Sequence, residues 1–173
     1  MLGGAFRAWT DPGERPDDGV CEIAFHCPNA ACHTDLKLPV IATAQIAAFA
    51  NSIEVDDSAE VVGRAAEAAE LSSTPRSLAP PGVFAGGATA ETIFSGRVIE
   101  SSMRENSLTG DQYVWAAVQT FGGAYDVVAD PTLLTAPPAP GAVVTGSFLL
   151  SGRLLELPPP PEERKGLLRR LFD

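Results

Sequence analysis

The stretch from Tyr113 to Asp130 constrains this chain more than any other. Tyr113 to Phe121 alternates with period two. Tyr113, Trp115, Ala117, Gln119 and Phe121 share one face, and Val114, Ala116, Val118 and Thr120 share the other. Both faces are mostly apolar, which predicts a strand covered on both sides. Gly122-Gly123 follows and offers two positive-φ positions for a tight hairpin turn. Ala124 to Asp130 (AYDVVAD) then returns as the next strand. Upstream, Thr92 to Ser101 is rich in β-branched residues, and Ser102 to Asp111, with Asn106 and Gly110, reads as a loop. The result is a three-stranded antiparallel meander. Its edges need further strands to cover them.

The sequence after the meander offers at least one. Asp130-Pro131 suits the start of one short helical turn through Leu134. Pro137, Pro138, Pro140 and Gly141 then forbid regular structure. Ala142 to Leu157 is strand-like again, with Gly146 and Gly152 fitting a bulge, or a hairpin turn at Gly146-Ser147. A meander, a short helical link, and a strand carrying Gly141, Val143, Val144, Gly146 and Phe148 together resemble an OB-fold over residues 92–157. The resemblance implies a five-stranded barrel. Pro158 to Pro161 cannot form a central strand. The fifth strand must therefore be the second half of Ala142–Leu157 or come from the amino-terminal half.

The resemblance also implies candidate ligand residues. OB barrels stack the bases of single strands on aromatic side chains in a basic groove, and some bind oligosaccharides. The matching residues are Tyr113, Trp115 and Tyr125, with Arg97, Arg104 and Arg153. Two features argue against nucleic acid. Glu100, Glu105, Asp126 and Asp130 neighbour the arginines, and the shared face of Tyr113, Trp115 and Phe121 is expected to point into the barrel.

The amino-terminal half reads differently. Residues 1–71 are expected to form a small acidic α/β segment. Asp11 to Gly19 is turn chemistry, Val20 to His26 a short strand, Leu36 to Ile41 a second strand, and alanine-rich Ala42 to Ala50 a helix in preference to a strand. A better helix starts at Asp57, with Glu60 at capping-box spacing and Val61, Val62, Ala65, Ala68, Ala69 and Leu71 behind it. Residues 72–91, dense in proline and glycine, read as a linker.

Charge and cysteine content narrow the function classes. The net charge is −10, and residues 1–91 hold five basic against thirteen acidic side chains. That half should repel nucleic acid and anionic membrane. No apolar run is long enough to cross a bilayer, and Met1 to Trp9 has no signal-peptide pattern, so a cytoplasmic protein is expected. Ten arginines against two lysines, with abundant alanine, suggest a GC-rich bacterial genome. Three cysteines in a cytoplasmic chain argue against a disulfide framework. Cys21, Cys27, Cys32 and His33, with His26 nearby, are soft or borderline ligands that could hold zinc, but no C-x-x-C pair is present. Buried cysteines acting as small hydrophobes are the stronger reading, and no cofactor is expected. Phosphate-loop, nucleophile-elbow and zinc-helix motifs are all missing, which argues against an enzyme.

The last feature is the tail. Pro158 to Pro161 is a stiff spacer, and Leu167, Leu168, Leu171 and Phe172 beyond it fall on one helical face. Glu162 and Glu163 before that face, and Arg169 and Arg170 within it, suit a helix dipole. So short a helix needs a surface to dock on. The sequence therefore predicts a mainly β (α+β) protein: an OB-like antiparallel barrel, an acidic amino-terminal α/β segment and a short helical tail. Its expected role is that of a non-enzymatic interaction or adaptor protein, with the tail docking on a larger assembly or on an oligomer of the chain itself.

Overall fold

The computed structural model describes residues 4–10, 19, 21–33, 36–57, 90–120 and 122–157. The helix expected after Asp57, the linker and the tail lie outside these residues. Seven strands follow in chain order: β1 (Ala5–Thr10), β2 (Cys21–His26), β3 (Thr43–Asp56), β4 (Glu91–Glu105), β5 (Gln112–Thr120), β6 (Gly123–Ala129) and β7 (Val143–Glu156). A 3-10 turn, Ala30–His33, follows β2. The fold is mainly β, as expected.

Five strands close into a barrel. The meander β4-β5-β6 is antiparallel, β6 pairs in parallel with β3, β3 pairs antiparallel with β7, and β7 closes the ring on β4. This ring is consistent with an OB-like small barrel whose last wall strand comes from the front of the chain. The amino-terminal half therefore supplies the fifth strand, and the barrel is antiparallel except where β3 meets β6. Each of these five strands pairs with two neighbours.

The core follows from alternation. Val114, Ala116 and Val118 of β5, Tyr125 and Val127 of β6, Ile46 and Ala48 of β3, and Val144, Phe148 and Leu150 of β7 point inward. Phe94 of β4 stacks on Phe148 at 4.1 Å between centroids and meets Tyr125 edge-on at 5.6 Å. The face of β5 carrying Tyr113 and Trp115 points outward, the reverse of the expectation. Both faces of the strand are apolar enough to be core. The smaller side chains of the even-numbered face fit the narrow interior, where Phe94, Tyr125 and Phe148 already supply the bulk.

Several local expectations are corrected. The stretch expected as a helix over Ala42–Ala50 is strand from Thr43 onward. Alanine has the highest helix propensity, but β3 is held between β6 and β7, and Ala48 is fully buried between them. Leu36–Ile41 is irregular, because Pro39 removes a ladder donor. The expected loop from Ser102 is strand as far as Glu105, and the turn is confined to 106–111, where Asn106 N donates to Asp111 O at 2.8 Å. β7 is continuous through Gly146-Ser147, so no hairpin forms there. The irregularity lies opposite, between Ala50 and Ser52 of β3. At the β5–β6 turn only Gly123 has positive φ, at 118°. The turn after Asp130 is as expected: its carboxylate accepts from Thr132 N and Oγ1 at 2.7 and 2.6 Å.

β1, which the sequence reading missed, pairs antiparallel with β2 over its whole length. β2 touches the barrel sheet at a single parallel bridge, His26 to Ser151. Among the described residues, no helix is long and apolar enough to cross a membrane.

Candidate ligand cleft

The β1–β2 hairpin and the barrel wall enclose a cleft. Direct pairing of Phe6 with Phe25, Ala8 with Ile23 and Thr10 with Cys21 gives the hairpin one common face. Phe6 and Phe25 stack at 6.0 Å, and Ile23 and Phe25 are buried in one core cluster with Ile46. β2 is hydrogen-bonded to β7 only at its end, and beyond that bridge the hairpin meets the wall through side chains alone. The space between is a cleft of about 1150 Å³. The segment 36–42, with Leu38, Val40 and Ile41, forms one side, and Leu154 and Leu155 of β7 form part of another. Four large apolar side chains on its lining are exposed to solvent: Trp9 (41%), Leu38 (66%), Ile41 (45%) and Leu155 (52%). So large an apolar concavity is the usual form of a binding site.

Polar groups mark one end. Tyr125 Oη lies beside Gly122, where a Cβ would come within 2.7 Å of it. Burial, then the neighbouring Cys21, push the Tyr125 phenol up to about 12, against a smaller lowering by its Thr120 hydrogen bond. Burial and then Glu22 also raise the Cys21 thiol. Thr10 Oγ1 is buried and has no hydrogen-bond partner among the described residues. On the outer rim Arg7 pairs with Glu22.

The wall beside the cleft carries a line of contacts across all five barrel strands. Arg153 Nε of β7 donates to Gln45 Oε1 of β3 at 3.0 Å. Gln45 Nε2 donates to Asp126 Oδ2 of β6 at 2.9 Å. Asp126 Oδ1 accepts from Trp115 Nε1 of β5 at 3.0 Å. The Arg104 guanidinium of β4 then sits 3.5 Å over the Trp115 ring. Gln45 and Asp126 also line the cleft.

These contacts sort the ligand residues named from sequence. Arg104, Trp115 and Arg153 belong to the one polar line. Tyr113 is half-buried on β5, directly opposite Arg104. Tyr125 points inward. Arg97 pairs with Gln119 and Val143, about 20 Å from Arg104 along the same strand. Gln45 and Asp126 were missed. Their signal is an outward polar residue on a strand whose inward neighbours are apolar, but that pattern does not reveal which strands will be adjacent.

The structure does not gather the four zinc candidates at one point. Cys21 and Cys27 are separated by the length of β2, about 20 Å. Cys27 is fully buried and its Sγ donates to Asn29 Oδ1 at 3.1 Å. His33 Nε2 meets Asn29 Nδ2 at 3.3 Å, and Cys32 is exposed. Among the described residues no three histidine, cysteine or acidic side chains are grouped to hold a metal. The partner residues Leu167, Leu168, Leu171 and Phe172 lie outside the described residues.

No protein-family model, curated protein or solved structure matches this chain. The cleft must therefore be read from its own chemistry. It can shelter an apolar side-chain cluster or an apolar molecule, and its polar end can orient either through hydrogen bonds.

Proposed function

We propose that this protein is a non-enzymatic interaction module that holds an apolar segment of a partner protein in the cleft between the β1–β2 hairpin and an OB-like barrel. The observation that carries the reading is the exposed apolar lining. Leu38, Ile41 and Leu155 lie on the lining of one concavity, with Trp9 at its edge from the hairpin's outer face, and exposed apolar surface gathered in this way is the mark of an interaction site. Exposed aromatic and branched aliphatic side chains in a concavity are the usual anchors of a protein interface.

The barrel-face reading, with single-stranded nucleic acid or oligosaccharide stacked on Trp115, has less support. Arg104 already covers that ring, and Asp126 already accepts its indole N–H. Asp126 also places a negative charge beside any approaching phosphate.

The test is affinity capture from cells that express the protein, with the full chain and its Leu38→Asp and Ile41→Asp variants as baits. A defined partner retained by the full chain and lost with both variants is the expected result. A partner retained equally by all three would place the interface elsewhere. Binding to single-stranded oligonucleotides that weakens steeply with salt would favour the barrel face instead.

A further inference from the structure

We infer that the cleft receives its partner as an extended strand, which bonds to the free edge of β1 and turns every second side chain into the cleft. This inference rests on the reading of the cleft as a docking site and adds the form in which the partner binds.

β1 is the outermost strand of the sheet, and among the described residues no strand pairs with its far side. The direction of its backbone groups follows from one hydrogen bond. Cys27 N donates to Gly4 O, and these two residues continue the register that sets Ala5 opposite His26. Hydrogen-bonded pairs alternate along an antiparallel ladder. Phe6, Ala8 and Thr10 therefore direct their N–H and C=O groups to β2, and Ala5, Arg7 and Trp9 direct theirs to the far edge. The devices that usually block such an edge are missing from β1. It has no proline, its register with β2 is unbroken, and its one charged side chain, Arg7, is drawn back to Glu22.

The cleft runs along that edge. β2 lines it with Ile23 and Phe25 alone, which is one face of a strand. β1 lines it with every residue from Phe6 to Thr10. Side chains alternate between faces, so an unbroken run borders one space only where that space follows the strand's edge. Leu38 to Ala42 lines the cleft in an unbroken run as well. The cleft is thus a slot flanked by two stretches of backbone.

A strand added in that slot has a fixed arrangement. Its residues opposite Phe6, Ala8 and Thr10 share their face and turn toward the cleft, where Leu38 and Ile41 are exposed. The intervening residues turn outward with Arg7 and Trp9. The two charged residues on the lining are of opposite sign and both engaged, Arg7 with Glu22, and Asp126 with Gln45 and Trp115. The cleft-facing residues of the partner are therefore uncharged and apolar, alternating with polar ones.

The probe is a capped heptapeptide with serine at its odd positions and leucine, valine and leucine at its even ones, titrated into the full-length chain. Hydrogen exchange followed by NMR should slow several-fold at Ala5, Arg7 and Trp9. It should stay unchanged at Phe6 and Ala8, whose N–H groups already bond to β2. A strand bonds its neighbour through alternate amides only. N-methylation of one alternate set of peptide amides should therefore abolish binding, and N-methylation of the other set should leave it nearly unchanged. Arg7→Pro removes one outward N–H and spares the bonds to β2. It should abolish the binding that Arg7→Ala retains, with circular dichroism and melting temperature kept in both. Leu38→Asp should weaken the peptide several-fold. Equal binding by the two methylated peptides, with Leu38→Asp still weakening both, would refute strand addition and leave the docking cleft standing. Slow exchange at Ala5, Arg7 and Trp9 in the chain without peptide would show that edge already paired and would refute it as well. No binding at millimolar concentration by the peptide or by its isoleucine and phenylalanine analogues would overturn strand addition, and loss of the captured cellular partner on Leu38→Asp would then decide whether the cleft reading survives it.

Discussion

Tyr125 shows how one side chain couples the barrel interior to the cleft. Its ring packs edge-on against Phe94 and its oxygen lies beside Gly122, at the margin of the hairpin. The folded phenol titrates near 12, against about 10 unfolded. The folded state therefore holds its proton more tightly. The associated stability is complete below pH 10 and is lost as pH rises through 12, a change of about 2–3 kcal/mol. Tyr125→Phe keeps the ring and removes the proton, so its urea midpoint should fall less than the parent's between pH 9 and pH 12. The cysteines give a second expectation at this scale. Cys32 is exposed, Cys21 is half-buried with a raised thiol, and Cys27 is fully buried. Iodoacetamide at pH 8 should label them in that order, with Cys27 reacting only on unfolding. Mass spectrometry of the peptides reads the order directly.

Among the elements, β7 makes the most demanding contacts. Its first half is bonded on both sides, to β3 and to β4, and Gly146 stands where both partners come close. A Cβ at Gly146 would collide with the Ser52 carbonyl and press on the Phe148 ring. Gly146→Ala should cost about 3 kcal/mol or more by thermal melting, a severe case of overpacking. The sequence indicated that Gly146 was special but not what it approaches, because Ser52 lies 94 positions earlier. The outer polar line belongs to the same scale. Asp126 accepts from both Gln45 and Trp115, tying β6 to β3 and to β5. Asp126→Ala should lower stability by about 1–2 kcal/mol, since two donors lose their acceptor at a partly wet surface. A shift in Trp115 fluorescence should accompany it.

The molecule as a whole depends on a contact of long sequence range. β3 fills the gap between β6 and β7, so the compact β region read from residues 92–157 holds only four of the five wall strands. A fragment of residues 90–157 should therefore show no cooperative melting transition. A chain beginning at residue 36 should regain one, with a lower midpoint because it lacks the β1–β2 hairpin and the buried Ile23 and Phe25. Circular dichroism of the two fragments measures the difference. The same arrangement creates the cleft, since the hairpin is tied at His26 and the segment 36–42 links it to β3.

What the sequence determined was local. The alternation of Tyr113 to Phe121, the turn beside Gly123, the return of Ala124 to Asp130 and the capped turn at Asp130 all follow from neighbouring residues, and all could be read from them. The requirement for a fifth strand was also legible, because a meander plus one further strand leaves an edge uncovered and Pro158 to Pro161 could not fill it. The tertiary structure decided the rest. Thr43 to Ala50 became strand because β6 and β7 offered hydrogen bonds on both sides and the core took Ile46 and Ala48. Trp115 turned outward because the interior was filled by Phe94, Tyr125 and Phe148, the last of which lies outside the meander. The cleft has no sequence signature at all. Its lining runs from Phe6 to Leu155, and no periodicity within one segment can report which distant segments will face each other across it.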